Sequence, residues 1–268
     1  MSGLTAICVK IRGDDLHAAI AGYTANDRIV QGNYMKIGFI QRGLHALMAI
    51  TIACLAFTVA SAAASPSLQE RFERKIAEYE AADRANPPPK HAILLIGDSQ
   101  FYRWKTLNED LPGYTFINRG IDSFQTSDLI RYADRLVGTY QPRLILVHVG
   151  GNDVHNGKNA EQITNDYTVL VQKLRAISPA ATIVFSSITP GPGRWDEASQ
   201  RVAANRAIEE FVHHQPNVKF IDLWHPMLDP DGKPREDVWV EDRVHPNHAG
   251  YQLRAKLTQP FLGPPEKR

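Results

Sequence analysis

Residues 91–100 read HAILLIGDSQ, a short apolar run that ends in a Gly-Asp-Ser turn. The apolar residues 92–96 suit a strand that is buried on both faces, as the strands of parallel sheets are. The glycine and aspartate that follow are turn residues and end the strand. Ser99 is therefore predicted to stand at the carboxyl end of a buried strand, where open parallel sheets bind their ligands.

Beyond this segment, short apolar runs alternate with helical patterns along the chain. The predicted strands are residues 92–96, 114–117, 144–149, 182–186 and 218–221. The predicted helices are residues 68–85, 126–137, 160–177, 197–213 and about 246–257. Apolar strands that alternate with helices indicate a parallel sheet covered on both faces. The expected fold is therefore α/β, a three-layer α/β/α sandwich with a central, mainly parallel five-stranded sheet.

Three further segments add polar groups, two of them at predicted strand ends. Residues 118–120 read NRG after the second strand, and residues 150–153 read GGND after the third. Residues 242–246, near the C-terminus, read DRVHP. The carboxyl ends of parallel strands lie at one edge of a sheet, so these segments are expected to meet Ser99 there. A nucleophile, hydrogen-bond donors and an acid–base pair are the groups that acyl transfer needs.

The expected role of each residue follows from its chemistry. A serine hydroxyl such as that of Ser99 needs a base to become nucleophilic. His245 is the candidate because Asp242, three residues earlier in the same loop, can reach its Nδ1. The N–H groups of Ser99 and Gly120 and the side-chain amide of Asn152 are the candidate donors of an oxyanion hole. Each residue alone has a structural alternative, as a turn or a helix cap, but their joint presence favours a catalytic site.

The four segments resemble the conserved blocks of the SGNH hydrolase, or GDSL esterase, superfamily. The likeness extends over residues 91–262, and the NRG and GGND segments are most similar to the branch of esterases like platelet-activating-factor acetylhydrolase. It implies a flavodoxin-like SGNH fold, a triad of Ser99, His245 and Asp242 that forms an acyl-enzyme, and no cofactor. Gln100 stands where the namesake motif has leucine.

The α/β-hydrolases are a second class of serine hydrolase to consider. Residues 97–101 read GDSQF and lack the second glycine of their Gly-x-Ser-x-Gly motif. Their acid also lies far ahead of the histidine, whereas here the two are three residues apart. This class is therefore disfavoured.

Four aromatic residues are candidates for the substrate pocket: Tyr102, Trp104, Phe124 and Trp195. Packing in the core is an equally good explanation for them. The absence of a large lid insertion favours short acyl esters, especially O-acetyl groups on carbohydrates or small alcohols. A lysophospholipase or thioesterase that acts on longer acyl chains is the alternative enzyme. The alternative of another class is a secreted ligand-binding protein without turnover.

Composition limits the other functions. The net charge is +1, with acids and bases interspersed, so a nucleic acid is not an expected partner. The only cysteines, Cys8 and Cys54, precede the predicted domain, which excludes cysteine catalysis and thiolate metal sites there. His248 follows His245 by three residues, but no third ligand is evident, so no metal is expected. The sequence does not indicate the oligomeric state.

Residues 35–64 have the pattern of a secretory signal peptide. Lys36 and Arg42 precede an apolar stretch at residues 44–60. Residues 60–64, ASAAA, then offer small-residue cleavage sites. We therefore expect a periplasmic or secreted protein without stable membrane insertion.

The same pattern divides the chain into segments. We expect Met35 to be the true start and residues 1–34 to be an upstream extension. An uncleaved membrane anchor at residues 44–64 is the alternative to a signal peptide, since a bilayer needs about 20 residues. Residues 65–90 are then an N-terminal helix and linker, and residues 91–268 are the hydrolase domain.

Overall fold

Five parallel strands form the centre of the fold in the computed structural model, which describes residues 65–265. In chain order they are β1 (Ile93–Gly97), β2 (Phe116–Gly120), β3 (Leu144–His148), β4 (Thr182–Ser186) and β5 (Val218–Ile221). Their order across the sheet is β2-β1-β3-β4-β5, and each neighbouring pair is parallel. The predicted α/β class with a five-stranded sheet is confirmed.

Helices pack on both faces of this sheet. They are α1 (Leu68–Ala85), α2 (Ser99–Tyr102), α3 (Leu107–Asp110), α4 (Thr126–Val137), α5 (Gly151–His155), α6 (Ala160–Ile177), α7 (Ala198–His213) and α8 (His248–Thr258). Side chains of α1, α4, α6 and α7 cover one face, and those of α2, α3 and α8 cover the other. This is the three-layer sandwich that the alternation of strands and helices predicts.

Alternate residues of β1 enter two separate hydrophobic cores. Leu94 and Ile96 belong to the core under α1, α4, α6 and α7, whereas Ile93 and Leu95 belong to the core under α2, α3 and α8. All four side chains are fully buried. Complete burial of one such side chain stabilises the fold by roughly 1.5–3 kcal/mol. Because both faces of the sheet are covered, the strand is apolar at every position, which is the pattern that predicted it.

Helix α1 is part of the first core. Ser67 and Glu70 form a capping box at its N-terminus, in which each side chain binds the other's backbone N–H. Phe72 and Ile76 then enter the core, where both are buried. The helix therefore packs against the same sheet face as α4, α6 and α7.

The second strand ends later than the sequence predicts. The prediction is residues 114–117, whereas β2 continues through Gly120. Because β2 is an edge strand, it holds polar side chains that interrupt the apolar pattern. Arg119 is one of them, and it pairs with Asp83. Gly120 therefore lies inside the sheet, and the loop at the sheet edge begins one residue after it.

The predicted signal peptide or anchor, and the extension before it, lie outside the described residues. Each helix between residues 65 and 265 is too short or too polar to span a bilayer.

Gly97 is the last residue of β1 and is paired with His148 of β3. Its φ is +145°, and a Cβ atom added there would lie 1.9 Å from the carbonyl oxygen of His148. The N–H of Asp98 donates a hydrogen bond to the same oxygen at 3.0 Å. Glycine is required here because it has no Cβ and tolerates a positive φ.

We expect Gly97→Ala to lower the free energy of unfolding by roughly 2–6 kcal/mol, the combined cost of an overpacked contact and backbone strain. Gly157→Ala is the matched control, because Gly157 also has a positive φ, +89°, but nothing lies within 4 Å of its added Cβ. The control reports strain alone, about 1–2 kcal/mol. Chemical denaturation measures both variants, and equal losses would contradict the close contact.

Candidate active site

The turn after β1 presents Ser99 at the edge of the sheet. Asp98 caps α2, because its carboxylate accepts a hydrogen bond from the Gln100 N–H at 2.9 Å. Ser99 is the first residue of that short helix. Asp98 is buried, and this burial raises its pKa to about 7 against the opposing effect of the Gln100 N–H. The aspartate of the Gly-Asp-Ser turn therefore holds the backbone beneath the serine.

Ser99, His245 and Asp242 form a continuous hydrogen-bonded line. Ser99 Oγ lies 2.8 Å from His245 Nε2, and His245 Nδ1 lies 2.7 Å from Asp242 Oδ2. The other carboxylate oxygen of Asp242 accepts the backbone N–H groups of Val244 and His245, both at 2.9 Å. The structure thus brings together the three residues that the sequence proposes as nucleophile, base and acid.

The surroundings keep Asp242 ionised. Partial burial raises its pKa, but the N–H groups of His245 and Val244 and the His245 ring together lower it to about 2. Arg103 Nη1 also lies 3.6 Å from Asp242 Oδ2. An ionised carboxylate at Nδ1 favours the tautomer that has its proton there, which leaves Nε2 free to accept the proton of Ser99.

A second Asp-x-x-His-Pro segment, residues 222–226, was not singled out from the sequence. His225 Nδ1 lies 2.8 Å from Asp222 Oδ2, and the same carboxylate accepts the His225 N–H at 3.2 Å. The His225 side chain is 80% exposed, and its Nε2 binds no serine hydroxyl among residues 65–265. The spacing therefore produces an Asp–His pair locally, and the contact with Ser99 distinguishes the pair at His245.

Gly120, which the sequence proposes as an oxyanion donor, does not line the pocket that contains Ser99. Its N–H donates to the Asn118 side chain at 3.0 Å, and its carbonyl accepts the Tyr79 hydroxyl at 2.6 Å. A Cβ atom at Gly120 would lie 2.4 Å from the backbone nitrogen of Tyr102, so a glycine is needed there for packing against α2. The prediction that the Gly120 N–H binds the oxyanion is therefore wrong. Because β2 continues through Gly120, this residue lies within the sheet and not in the loop at its edge.

Ser123 and Asn152 line the pocket together with Ser99. Ser123 lies in the loop after β2 and has a φ of +68°. Within residues 65–265, the N–H groups of Ser99 and Ser123 have no hydrogen-bond acceptor. Asn152 Nδ2 donates one hydrogen to the Phe124 carbonyl at 2.9 Å, which orients the amide and leaves its second hydrogen unused there. Three residues that line the pocket therefore each have an N–H hydrogen suited to an oxyanion.

Two of the aromatic residues proposed for substrate binding are core residues. Phe124 is completely buried and stacks on Tyr132, and Trp104 is 2% exposed and stacks on Tyr251. Neither ring lines the pocket. The proposal is wrong for both because the hydrophobic cores enclose these rings; Phe124 reaches the site through its carbonyl oxygen.

The other two aromatic residues lie at different surfaces. Tyr102 packs under the ammonium group of Lys105, which is 4.2 Å from the centre of its ring. Trp195 stacks on Trp224, with 5.9 Å between ring centres. Neither residue lines the pocket that contains Ser99. None of the four aromatic residues proposed from the sequence therefore lines it.

Polar and charged side chains line most of this pocket, whose volume is about 410 Å³. Besides His245, its basic side chains are those of Arg103, His148, His155, Arg194 and Arg201, and its aliphatic side chains are those of Ile188 and Val244. Within residues 65–265, no three His, Cys, Asp or Glu side chains are grouped as a metal site requires. A hydroxyl, a base and several N–H donors around one cavity are suited to nucleophilic attack on an ester carbonyl.

Proteins similar to this chain are named as acylhydrolases. The model of the GDSL-like lipase/acylhydrolase family matches residues 95–253. The platelet-activating factor acetylhydrolase IB subunit alpha1 of Pongo abelii is 26% identical over 196 residues, which are 69% of this chain and 77% of that protein.

Solved structures share the fold. One of them, described as a platelet activating factor from Streptococcus pneumonia, has a TM-score of 0.66 and 21% sequence identity. The match covers 80% of this chain and 99% of that one. A mutant acetyl esterase with an acetate ion has a TM-score of 0.51 and 22% identity, and the match covers 64% of this chain and 95% of that one. The family match spans more than half of the chain and includes Ser99, Asn152 and His245. The chain therefore belongs to the GDSL-like lipase/acylhydrolase family of SGNH hydrolases and is a carboxylic-ester hydrolase.

Proposed function

We propose that this protein is a serine esterase that removes short acyl groups, especially O-acetyl groups, from carbohydrates or small alcohols. The observation that carries the proposal is the line from Asp242 through His245 to Ser99, with distances of 2.7 Å and 2.8 Å. Unpaired N–H groups in the same pocket supply the donors that ester hydrolysis also needs.

The reaction begins with the hydroxyl of Ser99. His245 Nε2 takes the serine proton as Oγ attacks the ester carbonyl carbon, and the carbonyl oxygen becomes an oxyanion. Asp242 stabilises the imidazolium through Nδ1. When the bond to the alcohol breaks, His245 donates the proton to the departing oxygen, and the acyl group remains on Ser99. Water then gives a proton to His245 and attacks the acyl carbon, and Oγ leaves with that proton as the acid is released.

Three donors stabilise the oxyanion in this mechanism: the N–H groups of Ser99 and Ser123 and the amide of Asn152. Two of them are backbone groups, and the third is oriented by the Phe124 carbonyl at 2.9 Å. Because these donors are fixed before the reaction, little reorganisation is needed as negative charge develops.

The lining of the pocket supports a short acyl group. Its aliphatic side chains are those of Ile188 and Val244, and the four aromatic candidates lie elsewhere. A long acyl chain would leave most of its methylenes in water, and each unburied methylene forgoes about 0.8 kcal/mol. The names of two relatives, an acetylhydrolase and an acetyl esterase, favour an acetyl group.

The two alternative functions do not fit the polar pocket and the aligned side chains of Ser99, His245 and Asp242. A lysophospholipase or thioesterase that acts on long acyl chains needs an extended apolar channel. A secreted ligand-binding protein without turnover has no need for an aligned hydroxyl, imidazole and carboxylate. The short-acyl esterase is therefore favoured.

The cellular location is proposed only from the predicted signal peptide. The pattern of residues 35–64 supports export to the periplasm or beyond. N-terminal sequencing after expression in an exporting bacterium tests this. A periplasmic product that begins near residue 63 or 65 supports cleavage, whereas a membrane-bound product that begins at Met35 supports the anchor at residues 44–64.

Across a series of 4-nitrophenyl esters from acetate to palmitate, kcat/KM should be highest for acetate and should decline as the chain lengthens. The reason is that added methylenes find little apolar surface in the pocket. Ser99→Ala provides the blank for each ester, because it removes the nucleophile. A maximum at a long-chain ester would contradict the proposal and favour the lysophospholipase alternative.

His245→Ala should lower kcat by roughly 10⁴-fold or more, because the serine loses its base. His225→Ala is the matched control, since it removes a histidine with the same aspartate spacing that contacts no serine. The control should retain full activity and full reactivity of Ser99 toward a fluorophosphonate probe. Equal activity of the two variants would exclude His245 as the base.

Asn152→Ala should lower kcat by roughly 10²–10³-fold with little change in KM, as the loss of one oxyanion donor does. Asn156→Ala is its control, because Asn156 lies at the end of the same helix, donates to the Asn152 carbonyl at 2.7 Å and does not line the pocket. Steady-state kinetics and melting temperatures of both variants test this. A similar kcat for the two would leave the backbone N–H groups as the only donors.

A further inference from the structure

Three basic side chains, those of His155, Arg194 and Arg201, form one side of the candidate active site. Glu197 contacts all three, and we call these four residues the Glu197 wall. Glu197 Oε1 lies 2.6 Å from His155 Nδ1, and Oε2 accepts hydrogen bonds from Arg201 Nε at 3.0 Å and Nη2 at 2.6 Å. Both oxygens of the carboxylate are therefore occupied, and they hold the buried Arg201 in place.

The guanidinium of Arg194 is left without a hydrogen-bond acceptor among the residues that the structure describes. Its Nε lies 3.9 Å from Glu197 Oε1, which is close enough for an ion pair but too far for a hydrogen bond. The side chain is 37% exposed and belongs to the lining of the pocket. A guanidinium has five N–H donors on one rigid plane, so these donors are available to a molecule in the pocket.

The 3₁₀ helix that holds Arg194, Pro192–Glu197, is fixed against the segment before His245. The Gly193 N–H donates to the Arg243 carbonyl at 2.8 Å, and a Cβ atom at Gly193 would lie 2.8 Å from the Asp242 carbonyl oxygen. In the proposed mechanism, His245 donates its proton to the departing alcohol. The backbone contacts therefore place Arg194 on the side of the pocket that receives the alcohol.

The charge of the pocket is unevenly distributed. Arg103 is neutralised, because its Nε lies 3.2 Å from Asp122 and its Nη1 lies 3.6 Å from Asp242. The Glu197 wall has two permanently charged arginines and one carboxylate, so it has an excess of positive charge even with its histidine neutral. Complementary charge on a ligand favours both its approach and its orientation. The ligand group expected at this wall is therefore an anion.

We propose that Arg194 binds a carboxylate on the alcohol portion of the substrate, so that the preferred substrates are acyl esters of sugar acids or similar hydroxy acids. A guanidinium matches a carboxylate through two parallel N–H···O hydrogen bonds, and this geometry distinguishes it from an ammonium group. The inference rests on the proposed esterase function and adds a class of substrate to it.

The test compares acetate release from two matched substrates, O-acetylated methyl glucoside and O-acetylated methyl glucuronoside. The wild-type enzyme should prefer the glucuronoside by about tenfold in kcat/KM, mainly through KM, as one charge-assisted hydrogen-bonded pair would provide. Arg194→Gln should bring this ratio close to one, and Arg194→Lys should restore only part of it. Added salt should lower the wild-type ratio, because the guanidinium is partly exposed.

Arg235→Gln is the control for a general change in surface charge. Arg235 pairs with Asp237 and does not line the pocket, so this variant should keep the wild-type ratio. A wild-type ratio of one with the glucoside hydrolysed, or an unchanged ratio in Arg194→Gln, would overturn the inference and leave the esterase function intact. Failure of both sugars and of 4-nitrophenyl acetate would instead overturn the esterase function.

A second pair of substrates, 4-nitrophenyl hemisuccinate and 4-nitrophenyl butyrate, tests the acyl portion. Little preference for the hemisuccinate is expected, since Arg194 is assigned to the alcohol side. A preference for it that depends on Arg194, without one for the glucuronoside, would overturn that assignment.

Discussion

The register of β1 and β3 at their carboxyl ends is the constraint on which the rest of the structure depends. Gly97 lies against the His148 carbonyl, and the Asp98 N–H donates to the same oxygen. With the two strand ends held this closely, the turn before Ser99 and the loop before Asn152 leave the sheet at the same level. Ser99 and Asn152 therefore line the same pocket because of a backbone contact, to which neither side chain contributes.

A buried polar layer joins α8 to the Ser99 turn. Arg254 of α8 is 1% exposed, and its Nη2 lies 2.7 Å from His148 Nδ1. Burial and the nearby charge of Arg254 lower the pKa of His148 well below its usual value, so the neutral ring accepts this hydrogen bond. The side chain of Gln100 donates to the Val244 carbonyl at 3.0 Å. Gln100, which stands where the namesake motif has leucine, thus links the serine turn to the residue before the proposed base.

The sequence predicts the interior strands well, because strands buried on both faces are apolar almost throughout. The predicted bounds of residues 182–186 agree with the structure for this reason. The Asp–His contact is also predictable, since it forms within four residues of chain. The end of the edge strand is not, because polar side chains are tolerated there, and so Gly120 is proposed where Ser123 lines the pocket. The burial of Trp104 cannot be predicted from the sequence either, because it depends on residues that contact this side chain only in the folded chain.

The separation of Ser99 and His245 by 146 positions has a consequence for the chain during its synthesis. At a synthesis rate of about 5–20 residues per second, His245 is added to the chain roughly 7–30 s after Ser99, the residue that it is proposed to activate. In the proposed mechanism the serine has no base until His245, which lies three residues before α8, has been made and has reached Ser99, so a nascent chain that lacks it is expected to be inert toward esters. On this mechanism, hydrolytic activity is expected only after the chain has been made and folded through the residues that adjoin α8.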